Sequence, residues 1–190
     1  MIPADIKEGD IIFTAIPHLL YKKVAEGTGS KSSHVGIILK DSAGQWVVAE
    51  SAVPVSTYCP LNKFINRSEN GWCRIRRLKD NLTEQQIASI KHEAEKRMGV
   101  FYHLGFKYES NRLFCSKFVY EVFEAALGIE VGQLETFREL INKLPDTPLW
   151  FWRIWYFGFI PWKRITVTPA SQMNADNLFT VYDGNLTTET

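Results

Sequence analysis

Apolar residues in the first eighty positions come mostly in short runs bounded by turn formers, and beyond Thr83 they recur every three or four positions. The short runs predict strands. Ile11-Ile12-Phe13, after Glu8-Gly9-Asp10, predicts the first. His34 to Leu39 predicts a buried strand, Asp41-Ser42-Ala43-Gly44 a hairpin turn, and Trp46 to Glu50 the returning partner. Cys73 to Leu78 alternates well enough for a further strand. One helix, His18 to Ala25, interrupts the series and is closed by Gly27 and the loop Gly29 to Ser33.

The longer period predicts two helices. Thr83-Glu84-Gln85-Gln86 matches a capping box, with Leu82 and Ile87 placed as a hydrophobic staple. Ile87, Ile90, Ala94 and Met98 share one face, and Gly99 can end the helix. The second spans about Cys115 to Leu127, with Phe118, Val119, Val122, Phe123 and Ala126 inward and Gly128 as the stop. Strands first and mostly helices afterwards make the fold class α+β, with an antiparallel sheet as core. Neither an internal repeat nor a low-complexity linker divides the chain. The expectation is one domain over 1–182 and a flexible tail over 183–190.

At 190 residues, 45% apolar and 23% charged, the composition is that of a globular domain and excludes bulk disorder. A net charge of +1 argues against nucleic acid as a partner, because neutralising phosphates requires a basic excess. Cys59, Cys73 and Cys115 are too few and odd in number for a disulfide scaffold. The first ten residues lack a basic region followed by an apolar run, so the chain as written reads as cytoplasmic, or exported by a signal-independent route.

Within the aromatic-rich segment 148–164, Trp150 to Trp162 carries eight aromatics in thirteen positions. It is too short to cross a bilayer of roughly 30 Å as a helix. Two uses stand for it. It closes the hydrophobic core, or it contacts a membrane surface or an apolar substrate, with Lys163 and Arg164 as its cationic flank.

Cys115 opens a predicted helix, where unpaired backbone N–H groups favour a thiolate and can hold an oxyanion. A thiol nucleophile needs an imidazole to take and return its proton. His92 sits among Lys91, Glu93 and Glu95 on a charged helix, and His18 has no orienting partner in view. His34 starts a buried strand after a Gly/Ser loop, where catalytic side chains are held rigidly yet open to substrate. Glu50 ends the paired strand, close enough to orient His34. A small buried cysteine, a structural histidine and a charged strand end are the alternatives for the same three residues. Zinc-ligand spacings, phosphate loops and dinucleotide fingerprints are absent, so no cofactor is expected.

Four blocks, Lys7-Glu8-Gly9-Asp10-Ile11-Ile12-Phe13, Ser33-His34-Val35-Gly36-Ile37, Val48-Ala49-Glu50-Ser51 and Phe114-Cys115-Ser116-Lys117-Phe118-Val119, resemble the circularly permuted NlpC-type papain-like family. That family takes in YiiX-like and YebB-like bacterial proteins and is related to lecithin–retinol acyltransferase. Histidine and acid precede cysteine in the chain, as the permutation requires. The resemblance implies a papain-like α+β fold, a central antiparallel sheet or small barrel packed against helices. It implies Cys115 as nucleophile, His34 as base and acid, and Glu50 as the third member. Family members commonly carry Tyr-Asp and then Phe before the cysteine block; here Tyr102-His103-Leu104-Gly105-Phe106 replaces the acid with histidine, which makes His103 a second candidate base. Tyr102, His103, Ser33 and Phe114 are the candidate substrate-binding residues.

The function expected on these grounds is a metal-free cysteine peptidase or amidase acting on bacterial cell-wall peptides through an acyl-enzyme. A muropeptide would be the substrate, with an immunity protein as partner if the enzyme is an exported toxin. A lipid-directed acyltransferase or thioesterase, and a non-catalytic binding module, are the alternatives.

Overall fold

The central strands of the sheet are covered on both faces, which explains why Ile11 to Phe13, His34 to Leu39 and Trp46 to Glu50 read as apolar runs rather than alternating ones. The computed structural model describes Pro3, residues 5–145 and residues 147–186. In chain order the elements begin with β1 (Ile11–Thr14), α1 (Leu19–Gly27), β2 (His34–Lys40), β3 (Trp46–Ser51), β4 (Ser56–Pro60), α2 (Leu61–Asn66), β5 (Trp72–Leu78) and α3 (Glu84–Glu95). They continue with α4 (Cys115–Leu127), β6 (Glu135–Thr136), α5 (Phe137–Lys143), α6 (Trp150–Trp155), β7 (Ile165–Thr166), α7 (Pro169–Met173) and β8 (Leu178–Asn185).

Six strands form one antiparallel sheet in the order β4-β3-β2-β1-β5-β8, and β6 and β7 form a separate pair. Ile11 and Phe13 of β1 and Val35, Ile37 and Leu39 of β2 join the core that includes Ile90 and Ala94 of α3 and Phe118, Val119, Val122 and Phe123 of α4. Ile12 and Ile38 point the other way, into a second core with Leu61, Phe64 and Ile65 of α2. The architecture is therefore α+β as expected, with helices on both faces.

Local signals place the two long helices. Thr83 accepts from the Gln86 N–H while the Gln86 side chain takes the Thr83 N–H, the reciprocal arrangement of a capping box. Gly128 ends α4 in the left-handed region at φ 67°, which costs glycine least.

The expected tail is corrected in part. Residues Asp183 to Asn185 complete β8 and pair with Cys73 and its neighbours on β5. Asp183 also receives hydrogen bonds from Trp72 Nε1 and from the Arg74 guanidinium. Residues 187–190 of that tail lie outside the described residues. β8 escaped notice because much of its length faces solvent and its partner lies a hundred positions earlier.

The aromatic segment divides its rings between two environments. Phe151, Trp152 and Ile160 are buried in a cluster with Leu20 and Val24 of α1. Trp150, Ile154, Phe157 and Phe159 face solvent.

Candidate active site

Three elements converge on one point. The α4 N-terminus supplies Cys115, preceded by Phe114 in extended conformation (φ −135°, ψ 164°) with no side chain capping the first turn. β2 supplies His34 and β3 supplies Glu50, both fully buried. The β2–β3 register pairs Ile37 with Ala49, which sets Glu50 across from Gly36 and diagonal to His34 on the same face. Gly36 is obligatory there: a Cβ would lie 2.4 Å from Val48 Cγ1 and 3.0 Å from the Ala49 carbonyl.

His34 Nε2 lies 2.5 Å from Glu50 Oε2. A carboxylate only accepts, so Nε2 carries the proton of that bond. Nδ1 is buried and meets no nitrogen or oxygen partner among the described residues. The Cys115 thiol is the group left to interact with it. Burial works against charge on the imidazole, but hydrogen bonds to Cys115 and Glu50 outweigh it and raise the His34 pKa to about 9.

The ring is held on two sides. Tyr21 of α1 meets it edge-on (centroids 5.7 Å, 89°) and Phe64 of α2 lies against it at 5.4 Å. Glu50 keeps its second oxygen for Arg67, whose Nη2 donates to Oε1 at 2.7 Å while the guanidinium lies over Phe64. Burial would raise the Glu50 pKa. The His34 hydrogen bond and charge, with those of Arg67, more than reverse it, and the carboxyl is held below its ordinary range.

Tyr102 is buried and shares the cleft lining with Cys115. Burial first, and then the neighbouring sulfur, push its pKa well up, so it stays a neutral donor. Ser33 is fixed by the Thr14 carbonyl, which takes its N–H, and by its own hydroxyl, which accepts from the Ile16 N–H. Ser33, Tyr102 and Phe114 all border the cleft beside Cys115.

His103 does not. Its Nδ1 accepts from the Gly105 N–H. Burial and then the charges of Arg164, Lys117 and Arg112 lower its pKa. It is not part of the cleft lining, although its neighbours Tyr102 and Phe106 are. Tyr21, Phe64 and Arg67 were not singled out in the sequence, because each acts through a contact between elements and none stands in a motif.

The cleft has a volume of about 710 Å³ counted to its open mouth. Leu20 and Val24 of α1, Phe137 and Ile141 of α5, Trp152 of α6 and Val167 form much of its wall, and among the described residues no charged side chain lines it. All three cysteines are free thiols. Among the described residues no group of three or more His, Cys, Asp or Glu side chains is placed to hold a metal ion.

Comparison with known proteins identifies the family and the fold. The sequence model for "permuted papain-like amidase enzyme, YaeF/YiiX, C92 family" matches residues 5–182. The uncharacterized protein YiiX of Escherichia coli (strain K12) is 28% identical over 173 residues, covering 91% of this chain and 84% of that one. A crystal structure of yiiX from Escherichia coli O157:H7, titled a metalloprotein, superposes with a TM-score of 0.84 at 27% identity, covering 95% of this chain and 98% of the other.

Proposed function

Since the chain belongs to the permuted papain-like amidase family (YaeF/YiiX, C92), a family of cysteine hydrolases, we propose that Cys115, His34 and Glu50 hydrolyse an amide whose acyl part is apolar. Below about pH 9 His34 carries a proton on Nδ1 as well as on Nε2, and Cys115 Sγ attacks the carbonyl carbon beside this imidazolium. The Cys115 N–H and the Tyr102 hydroxyl stand beside the forming bond and donate to the oxyanion. His34 then protonates the leaving amine, and a thioester remains on Cys115. A water molecule, deprotonated by His34, attacks that thioester and releases the acid. Glu50 accepts the Nε2–H throughout, which fixes the tautomer and stabilises the imidazolium. Cys115 Sγ and His34 Nδ1 are two donors where a catalytic zinc site takes three protein ligands, and among the described residues no third His, Cys, Asp or Glu completes the set.

The observation that carries the choice of substrate is the apolar, uncharged lining of the cleft. A muropeptide presents free carboxylates and amines, and among the described residues no charged side chain lines the cleft to receive them. An aliphatic or aromatic acyl chain fits its walls. That favours the lipid-directed alternative over cell-wall peptides.

Turnover of N-acyl amides of increasing chain length, beside defined muropeptides, tests the reading. Rates that rise with chain length, with an acyl adduct on Cys115 in the mass spectrum, are expected. Cleavage of muropeptides with no long-chain acyl adduct would overturn it.

A further inference from the structure

The six residues of α6 and the turn after them carry their aromatics in two sets. Phe151 stacks on Trp155 (5.8 Å, 20°) and Trp152 on Tyr156 (6.2 Å, 21°) toward the protein. Trp150, Ile154 and Phe157, spaced four and three apart, form the opposite side, and Phe159 follows them. Ile154 is 70% exposed, Phe157 93% and Phe159 84%. A helix apolar all round needs cover on both sides, and this one has cover on only one.

The turn is built to present these rings. Phe157 sits at φ 52°, a conformation that side-chain-bearing residues avoid. Hydrogen bonds from Phe157 N–H to the Ile154 carbonyl, Gly158 N–H to Arg153 and Phe159 N–H to Tyr156 hold it there. Charge identifies the occupant. Residues 147–164 contain Arg153, Lys163 and Arg164 and no carboxylate, in a chain whose net charge is only +1. Arg153 and Lys163 are exposed, and neither forms an ion pair among the described residues. Lys23 of α1, itself paired with Glu26, lies 5.6 Å over the Trp150 ring. Exposed aromatics rimmed by unpaired cations match an anionic lipid interface, where rings sit at headgroup level and cations meet phosphates.

We propose that the face formed by Trp150, Ile154, Phe157 and Phe159, with Arg153 and Lys163, docks on an anionic lipid bilayer. No helix among the described residues is long and apolar enough to cross the membrane, so the contact is interfacial. Trp152, on the inner side of the same helix, lines the cleft, which sets the cleft wall directly behind the docking face. The proposal deepens the acyl-amide reading by locating the substrate in a membrane, yet docking is measurable without turnover.

The test is co-sedimentation of the full chain with vesicles of phosphatidylcholine alone or with one quarter phosphatidylglycerol. Tryptophan emission and the vesicle-free sedimentation coefficient are recorded alongside. Expected are binding to the anionic vesicles, a blue shift, weakening in 0.5 M salt, and a partition coefficient at least about tenfold lower for Phe157→Ser/Phe159→Ser. Arg153→Glu/Lys163→Glu, which leaves every ring in place, is expected to abolish the preference for phosphatidylglycerol. Wild type left in the supernatant, or ring and charge variants that bind as it does, would overturn the proposal. So would a vesicle-free dimer that Phe157→Ser/Phe159→Ser dissociates, since the face would then belong to a second copy. Cys115 alkylation, unchanged in both variants, separates this outcome from failure of the acyl-amide reading.

Discussion

Arg67 Nη2 lies 2.7 Å from Glu50 Oε1, on the carboxylate oxygen that His34 does not use. The guanidinium is partly exposed and the carboxylate is buried, so Arg67 ties a solvent-accessible charge to an enclosed one. It touches neither thiol nor cleft and acts through Glu50 as a positioning residue.

Arg67→Met is expected to lower kcat/KM by about tenfold, within the range seen when an outer hydrogen-bond partner is removed. With Arg67 gone the Glu50 pKa rises, so the acidic limb of the kcat/KM–pH profile moves to higher pH. Arg67→Lys restores part of both. A profile of unchanged shape would mean that Arg67 only packs over Phe64.

His34→Ala is expected to slow iodoacetamide alkylation of Cys115 at neutral pH and to lower kcat by about 10²–10⁴. Glu50→Gln acts in the same direction by leaving the imidazole free to take the other tautomer. Alkylation followed by peptide mass mapping reads the first effect, and equal rates in wild type and His34→Ala would leave a binding module.

Stability depends on pH through the same pair. The His34 pKa is raised from 6.5 to about 9, so its contribution is complete below about 6.5 and is lost as pH climbs through 9. Glu50 is lowered, so its contribution is present above 4.5 and is lost as pH falls through the depressed value. One bond underlies both, and it counts once, at no more than about 3 kcal/mol. Urea unfolding of wild type and His34→Gln between pH 4 and 10 checks this. The wild-type advantage shrinks above about pH 7, and a gap independent of pH contradicts the assignment.

Gly36→Ala places a methyl against Val48 and the Ala49 carbonyl. Overpacking of this kind costs about 1–3 kcal/mol. Because Glu50 stands across from Gly36, Cys115 alkylation slows with it, whereas Gly44→Ala, strained by its φ of 76° and not by any clash, leaves alkylation alone. Thermal melts and alkylation rates on the same preparations read both.

What was legible in the sequence was what local chemistry specifies. Thr83 and Gln86 announce their helix, and Gly128 ends the one that Cys115 begins. The contact of His34 with Glu50 was legible because a short turn joins their strands, so a contact across the sheet is also near in sequence. β4 and β8 were missed because they expose much of their length and gain their pairing from a neighbour strand. Arg67 and Tyr21 were missed for a related reason: only the packing of α1 and the turn after α2 brings them to Glu50 and His34. Trp150 to Trp162 was read as core or as contact surface, and the segment is divided between buried and exposed rings.

The order of the site along the chain has a consequence for synthesis. His34, Glu50 and Arg67 are all made before residue 70, whereas the nucleophile follows at 115 and much of the cleft wall lies between Phe137 and Pro169. A ribosome adds about 5–20 residues per second, so the acid–base half precedes the thiol by seconds, and the cavity comes later still. A nascent chain thus carries no formed pocket beside its nucleophile until most of the polypeptide has been made.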